Sequence, residues 1–217
     1  LIEALVNAEK IITSGTTSVL TANAERKNLI QESDLARCDY YWARFKNSLS
    51  RKISRHVAKD LDDAVNRIVL QLPDPTQESD FLCKGLVIGD VQAGKTNNYT
   101  GLINKCADLG YKVIIVLTGV TEPLRQQTQK RLDADFVGLK SIADRNMKSH
   151  EFVGVGLDAL TDDERFPNSL TDTKLDFIQN NGVMIPSQKN PVIVVTKKNY
   201  RVLDNVVAWL DSQRTNA

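Results

Sequence analysis

The chain is poor in the residues that hold folds together covalently or through metals. Its three cysteines, Cys38, Cys83 and Cys106, are odd in number and follow no metal-ligand spacing. They read as reduced structural thiols of a cytoplasmic protein and exclude a disulfide framework. The two histidines, His56 and His150, lie far apart and suggest no metal pair; His56 falls in a helical pattern as a surface or packing residue. Charge of one sign is also lacking. A formal net charge of +1 argues against a globally basic nucleic-acid binder, although Lys197-Lys198 and the cluster Arg125/Lys130/Arg131 leave room for a local basic surface. No apolar run approaches the length of a membrane span, so no membrane partner is expected. There is no signal-peptide pattern, no internal repeat and no low-complexity tract. The first residue is Leu1 rather than Met, and the chain reads as a piece of a longer one.

What is present suits an ordinary globular protein. The 217 residues, 41% hydrophobic and 25% charged, suffice for one sizeable α/β domain with a smaller appendage. Residues 1–80 form a helical region and residues 81–217 an α/β domain. In the first part, Leu1–Ile12 is a helical candidate, Ser14-Gly15-Thr16-Thr17 a break, and Leu29–Leu49 a second helix carrying Tyr41, Trp42 and Phe45. Ile53, Val57, Leu61, Val65, Ile68 and Leu72 recur at three and four, so Lys52–Leu72 is an amphipathic helix, stopped by Pro73-Asp74-Pro75. From residue 84 apolar runs alternate with helical stretches, the pattern of βαβ units around a parallel sheet. Gly85–Ile88 suits a short buried strand. Lys112–Thr118 and Pro191–Thr196 are further strands, the first apolar enough for burial on both faces. Helices follow at 97–107, 122–135, with Pro123 tolerated in its first turn, and 199–212. The segment 138–190 is irregular and reads as a lobe beside the sheet.

The stretch Gly89-Asp90-Val91-Gln92-Ala93-Gly94-Lys95-Thr96 reads G-x-x-x-x-G-K-T, the phosphate-binding P-loop, between an apolar run and a helical one. Glycines let successive N–H groups point at phosphate oxygens, and the helix N-terminus adds its positive dipole end. The nucleotide-binding residues are then Gly89, Asp90, Val91, Gln92, Ala93, Gly94, Lys95, Thr96 and Asn97. Lys95 and Thr96 carry the catalytic part: Lys95 reaches the β- and γ-phosphates of ATP or ADP, and the Thr96 hydroxyl binds Mg²⁺.

The later segments narrow the class. Thr121-Glu122-Pro123-Leu124-Arg125-Gln126-Gln127, T-x-x-L-x-x-Q, resembles motif Ia of superfamily-two helicases. Val194-Val195-Thr196-Lys197-Lys198-Asn199 resembles motif Ib. The resemblance implies a RecA-like parallel sheet, lobe one of such a helicase, and contacts from Thr121, Arg125, Gln127, Thr196, Lys197 and Lys198 to a DNA backbone. Hydroxyls, helix-start N–H groups and Lys/Arg suit such sequence-blind contacts.

A closer likeness runs through Lys95–Tyr111, Leu124–Asp133 with Phe136-Val137-Gly138, and Gly85–Thr96, which meets G-L-V-x-G-x-V-Q-x-G-K-T. These stretches resemble the Z-one-domain family, helicase-like proteins of bacterial restriction and phage-defence systems described as endonucleases. Trp42 with Phe45 and Leu49 is similar to that family's upstream helix; Val194–Asn199 and Leu203–Leu210 are similar to its later strand and helix. The likeness covers roughly 40–212. It implies a DNA-dependent ATPase acting with other subunits of a restriction or defence operon. No nuclease pattern stands in a strand context, since Asp172-Thr173-Lys174 alone is too short.

One departure matters. ATP hydrolysis in this class needs an Asp-Glu pair ending an apolar strand, and neither 113–118 nor 192–196 ends so; Asp162-Asp163-Glu164 follows no strand. The expectation is a piece cut before its Walker B strand and second lobe, which binds nucleotide but does not turn it over alone. Two other readings stay open: a P-loop enzyme of another class such as a small-molecule kinase, which the Leu124–Leu132 helix fits poorly, and a non-hydrolysing interaction fragment.

Overall fold

The computed structural model describes residues 28–77, 82–88, 94–140, 151–158, 165–178, 184–185 and 189–214. The helix expected at Leu1–Ile12, the break after it, and Asp162-Asp163-Glu164 lie outside the described residues.

Five helices of ten or more residues and three strands lie along these residues. Helix α1 spans Tyr41–Ser50 and α2 Arg55–Val69; α3 is Lys95–Asp108, β1 Val113–Thr118, α4 Glu122–Leu132, β2 Asn168–Ser169, β3 Val192–Lys197 and α5 Tyr200–Arg214. The sheet is parallel throughout, in the order β1-β3-β2, with Val113 opposite Val192 and Thr118 opposite Lys197. Central β3 is buried from Val192 to Thr196 because helices cover both faces. On one face Ile193 and Val195 pack with Ile103 and Ala107 of α3 and with Leu132 and Phe136. On the other, Val192 and Val194 meet Val206 and Trp209 of α5 and Phe177. The architecture is thus α/β with a small parallel sheet.

The N-terminal helices join the same core through α3. Lys105 of α3 is 2% exposed, and its ammonium is held by Asp62 and Asn66 of α2 and lies 4.3 Å from the centre of the Trp42 ring. Such a buried cation is tolerated because every face of it meets a carboxylate, an amide oxygen or an aromatic ring.

Three expectations need correction. The single helix over 29–49 is broken: a 3₁₀ turn, Glu32–Arg37, precedes α1, and the new helix starts where the Asp108 carboxylate accepts the Tyr41 N–H at 2.9 Å and the Trp42 N–H at 2.8 Å. A carboxylate from α3 caps α1, so no local signal marks that start. The run Gly85–Ile88 forms no strand, with Leu86 84% and Ile88 86% exposed. The edge of β1 away from β3 carries no strand among the described residues, so the run gains neither a ladder nor burial. For the same reason β1 is half-buried rather than buried throughout. The remaining expected helices and strands lie within a few residues of the observed ones, and α4 ends in a wide π-helical turn, Asp133–Val137, closed by Gly138 at φ +82°.

Candidate functional site

Gly94 caps α3 in the left-handed conformation, φ +67°, which glycine adopts without strain. It faces open space, so the backbone angle rather than crowding demands it. Lys95, Thr96 and Asn97 form the first turn, where N–H groups have no intrahelical partner and the dipole is positive. No acidic residue offsets that charge in the turn. Gly89, Asp90, Val91, Gln92 and Ala93, the remainder of the expected loop, lie outside the described residues.

An open cavity of about 250 Å³ is lined by Gly94, Lys95, Thr96, Asn97 and Arg131. Arg131, near the end of α4, places Nη2 3.4 Å from Asn97 Oδ1 and Nε 3.7 Å from Asp135 Oδ2. Asp135 also meets Lys52 at 3.4 Å. Beside them Tyr99 has its hydroxyl pKa raised, chiefly by burial, while Arg131 and a hydrogen bond with Thr96 pull it back. The sequence reading placed Arg131 only in a basic cluster. Its i,i+4 spacing to Asp135 was a visible signal, but its approach to Asn97 spans the packing of α4 on α3. A larger open groove, about 450 Å³, lies between the 3₁₀ turn and α2, lined by Glu32, Leu35, Asp63, Asn66, Arg67 and Leu70, with both signs of charge and no part of the loop.

Of the six residues expected to face DNA, Thr121, Arg125, Thr196, Lys197 and Lys198 lie around the carboxyl ends of β1 and β3, where open α/β sheets bind ligands, and Gln127 lies further along α4. Thr121, Gln127 and Lys198 are exposed. Lys197 is half-buried and its ammonium is 2.7 Å from Glu122 Oε2 and 3.5 Å from Asp176 Oδ2. Arg125 is 0% exposed. Its Nε donates to Glu122 Oε1 at 2.8 Å and its Nη1 to the Asp172 carbonyl at 2.7 Å. Thr196 is buried, and its hydroxyl donates to Asp176 Oδ1 at 2.7 Å. Two cations and two carboxylates thus neutralise one another. Arg125 first, and Lys197 after it, hold the Glu122 carboxyl well below the usual range, at about 2, while Glu122 raises the Lys197 pKa. Glu122 and Asp176 escaped the sequence reading; Asp176 comes from the irregular excursion and carries no local pattern.

Among the described residues no three His, Cys, Asp or Glu side chains converge as a metal site. None of the described helices is long and apolar enough to cross a membrane. No family model, no curated protein and no solved structure matches the chain.

Proposed function

We propose that the chain is the nucleotide-binding part of a helicase-like, DNA-dependent ATPase of the Z-one-domain kind, built on a RecA-like sheet and acting in a bacterial restriction or phage-defence system. The observation that carries this reading is the left-handed Gly94 opening a helix with Lys95-Thr96-Asn97 in its first turn, at the end of a G-x-x-x-x-G-K-T sequence and beside a cavity. First-turn N–H groups, a helix dipole and Lys95 suit a nucleoside polyphosphate. Thr96 is the residue that would hold Mg²⁺, which keeps several waters and phosphate oxygens as its other ligands and therefore fits a site with one protein oxygen. Bound there, the ion would neutralise phosphate charge.

Thr121 and Lys198, exposed just beyond β1 and β3, and Gln127, exposed on α4, are the groups open to a DNA backbone. Arg125 and Thr196 support that edge by holding the carboxylates that position Lys197.

Titration calorimetry with ADP and ATP in Mg²⁺ tests the nucleotide site. Lys95→Ala should lose a charge-assisted contact of about 1.5–3 kcal/mol. Equal affinity of variant and parent would sink the assignment. DNA-stimulated ATP turnover separates the helicase-like reading from a small-molecule kinase.

A further inference from the structure

Arg131 lies outside the loop motif, yet its guanidinium lines the same cavity as Lys95, Thr96 and Asn97. We infer that Arg131 is a phosphate-binding residue of this site, gripping the polyphosphate of a bound nucleotide from α4 while the first turn of α3 grips it from the other side. The inference rests on the nucleotide reading above and adds a residue to it.

Geometry and charge support this together. A guanidinium has five N–H donors, and the two partners of Arg131 stand at 3.4 and 3.7 Å, both longer than the 2.7–2.9 Å of a good charge-assisted bond. The side chain is 45% exposed. It is held loosely toward the cavity rather than consumed by a partner, unlike Arg125 on the same helix, which is fully buried and bonded at 2.7 and 2.8 Å. Asp135, itself only 11% exposed, pairs with Arg131 at 3.7 Å while Lys52 at 3.4 Å balances its charge. A planar fork matches two oxygens of one phosphate, where a lysine offers only a point charge. Arg131, and not Asp135, is among the residues that line the cavity.

The test is calorimetry on the whole chain with two probes, ADP and inorganic pyrophosphate, each with Mg²⁺. Arg131→Ala should weaken both by about tenfold or more, with an unchanged melting temperature in the absence of ligand. Arg131→Lys should recover only part of the loss. Parent-like affinity of Arg131→Ala for both probes overturns the inference and leaves the nucleotide site standing. Loss for ADP without loss for pyrophosphate also overturns it, by placing the arginine on the nucleoside. A parent chain that binds neither probe defeats the site itself, and the inference with it.

Discussion

Replacing Arg125 by methionine separates a structural staple from a surface contact. Methionine keeps most of the aliphatic stem and removes the guanidinium. The Asp172 carbonyl, now its acceptor at 2.7 Å, is left without that donor, at a cost of about 1–3 kcal/mol. The charge-assisted bond to Glu122 at 2.8 Å is lost, for about 1.5–3 kcal/mol more. Two effects reduce the sum. Lys197 remains 2.7 Å from Glu122, so that carboxylate is not left alone, and a buried guanidinium no longer has to be desolvated. The net loss should be about 3 kcal/mol, the lower end of what breaking a buried ion pair costs. For a domain of this size that corresponds to roughly 6–12 °C in melting temperature. Urea denaturation followed by circular dichroism gives the free energy directly. Gln127→Ala, exposed on the same helix, should stay within about 0.5 kcal/mol and serves as the control. A loss below about 1 kcal/mol for Arg125→Met would show that the guanidinium is solvated, refuting the buried network and returning Arg125 to the set open to a DNA phosphate.

Burial pushes the Asp108 carboxyl up to about 6, although the Trp42, Tyr41 and Tyr40 N–H groups pull it down. A raised folded pKa means stability from this group is full below its ordinary value of 3.8 and is lost as pH rises through about 6. Glu122 acts oppositely, contributing stability above its ordinary 4.5 that disappears as pH falls toward about 2. Stability, followed by denaturation at each pH, should therefore rise to a maximum near pH 4–5 from these two groups, and Asp108→Asn should flatten the decline toward pH 6; an unchanged slope in the variant would rule Asp108 out as its source. Leu86→Ala and Ile88→Ala should each change stability by no more than about 0.5 kcal/mol, because both side chains face solvent. A loss of 2–5 kcal/mol, the range for a buried aliphatic, would show instead that 85–88 is a strand of the sheet.

The elements with a local signal were legible in the sequence. β1 and β3 are uninterrupted apolar runs, which only a sheet covered on both sides can absorb, and α2 carries its stripe at three and four. Gly94 with Lys95-Thr96 announces a left-handed cap and an anion-ready helix start within three residues, so that part of the site could be read directly. The start of α1 could not, because its cap, Asp108, lies 67 residues away from Tyr41. Nor could the strand-like run at 85–88 reveal that its neighbour's edge would stand open, since strand pairing is a non-local property. The sharpest division falls on the two arginines of α4. Their spacing along the chain is six residues, and both read as surface cations in a basic cluster. Burial and partners alone distinguish them: Arg125 turns into the core to meet Glu122 and Asp172, whereas Arg131 turns toward the first turn of α3. A guanidinium's role depends on which carboxylates and how much water surround it, and those are supplied by segments far apart in sequence and brought together only when α4 packs against α3 and β3.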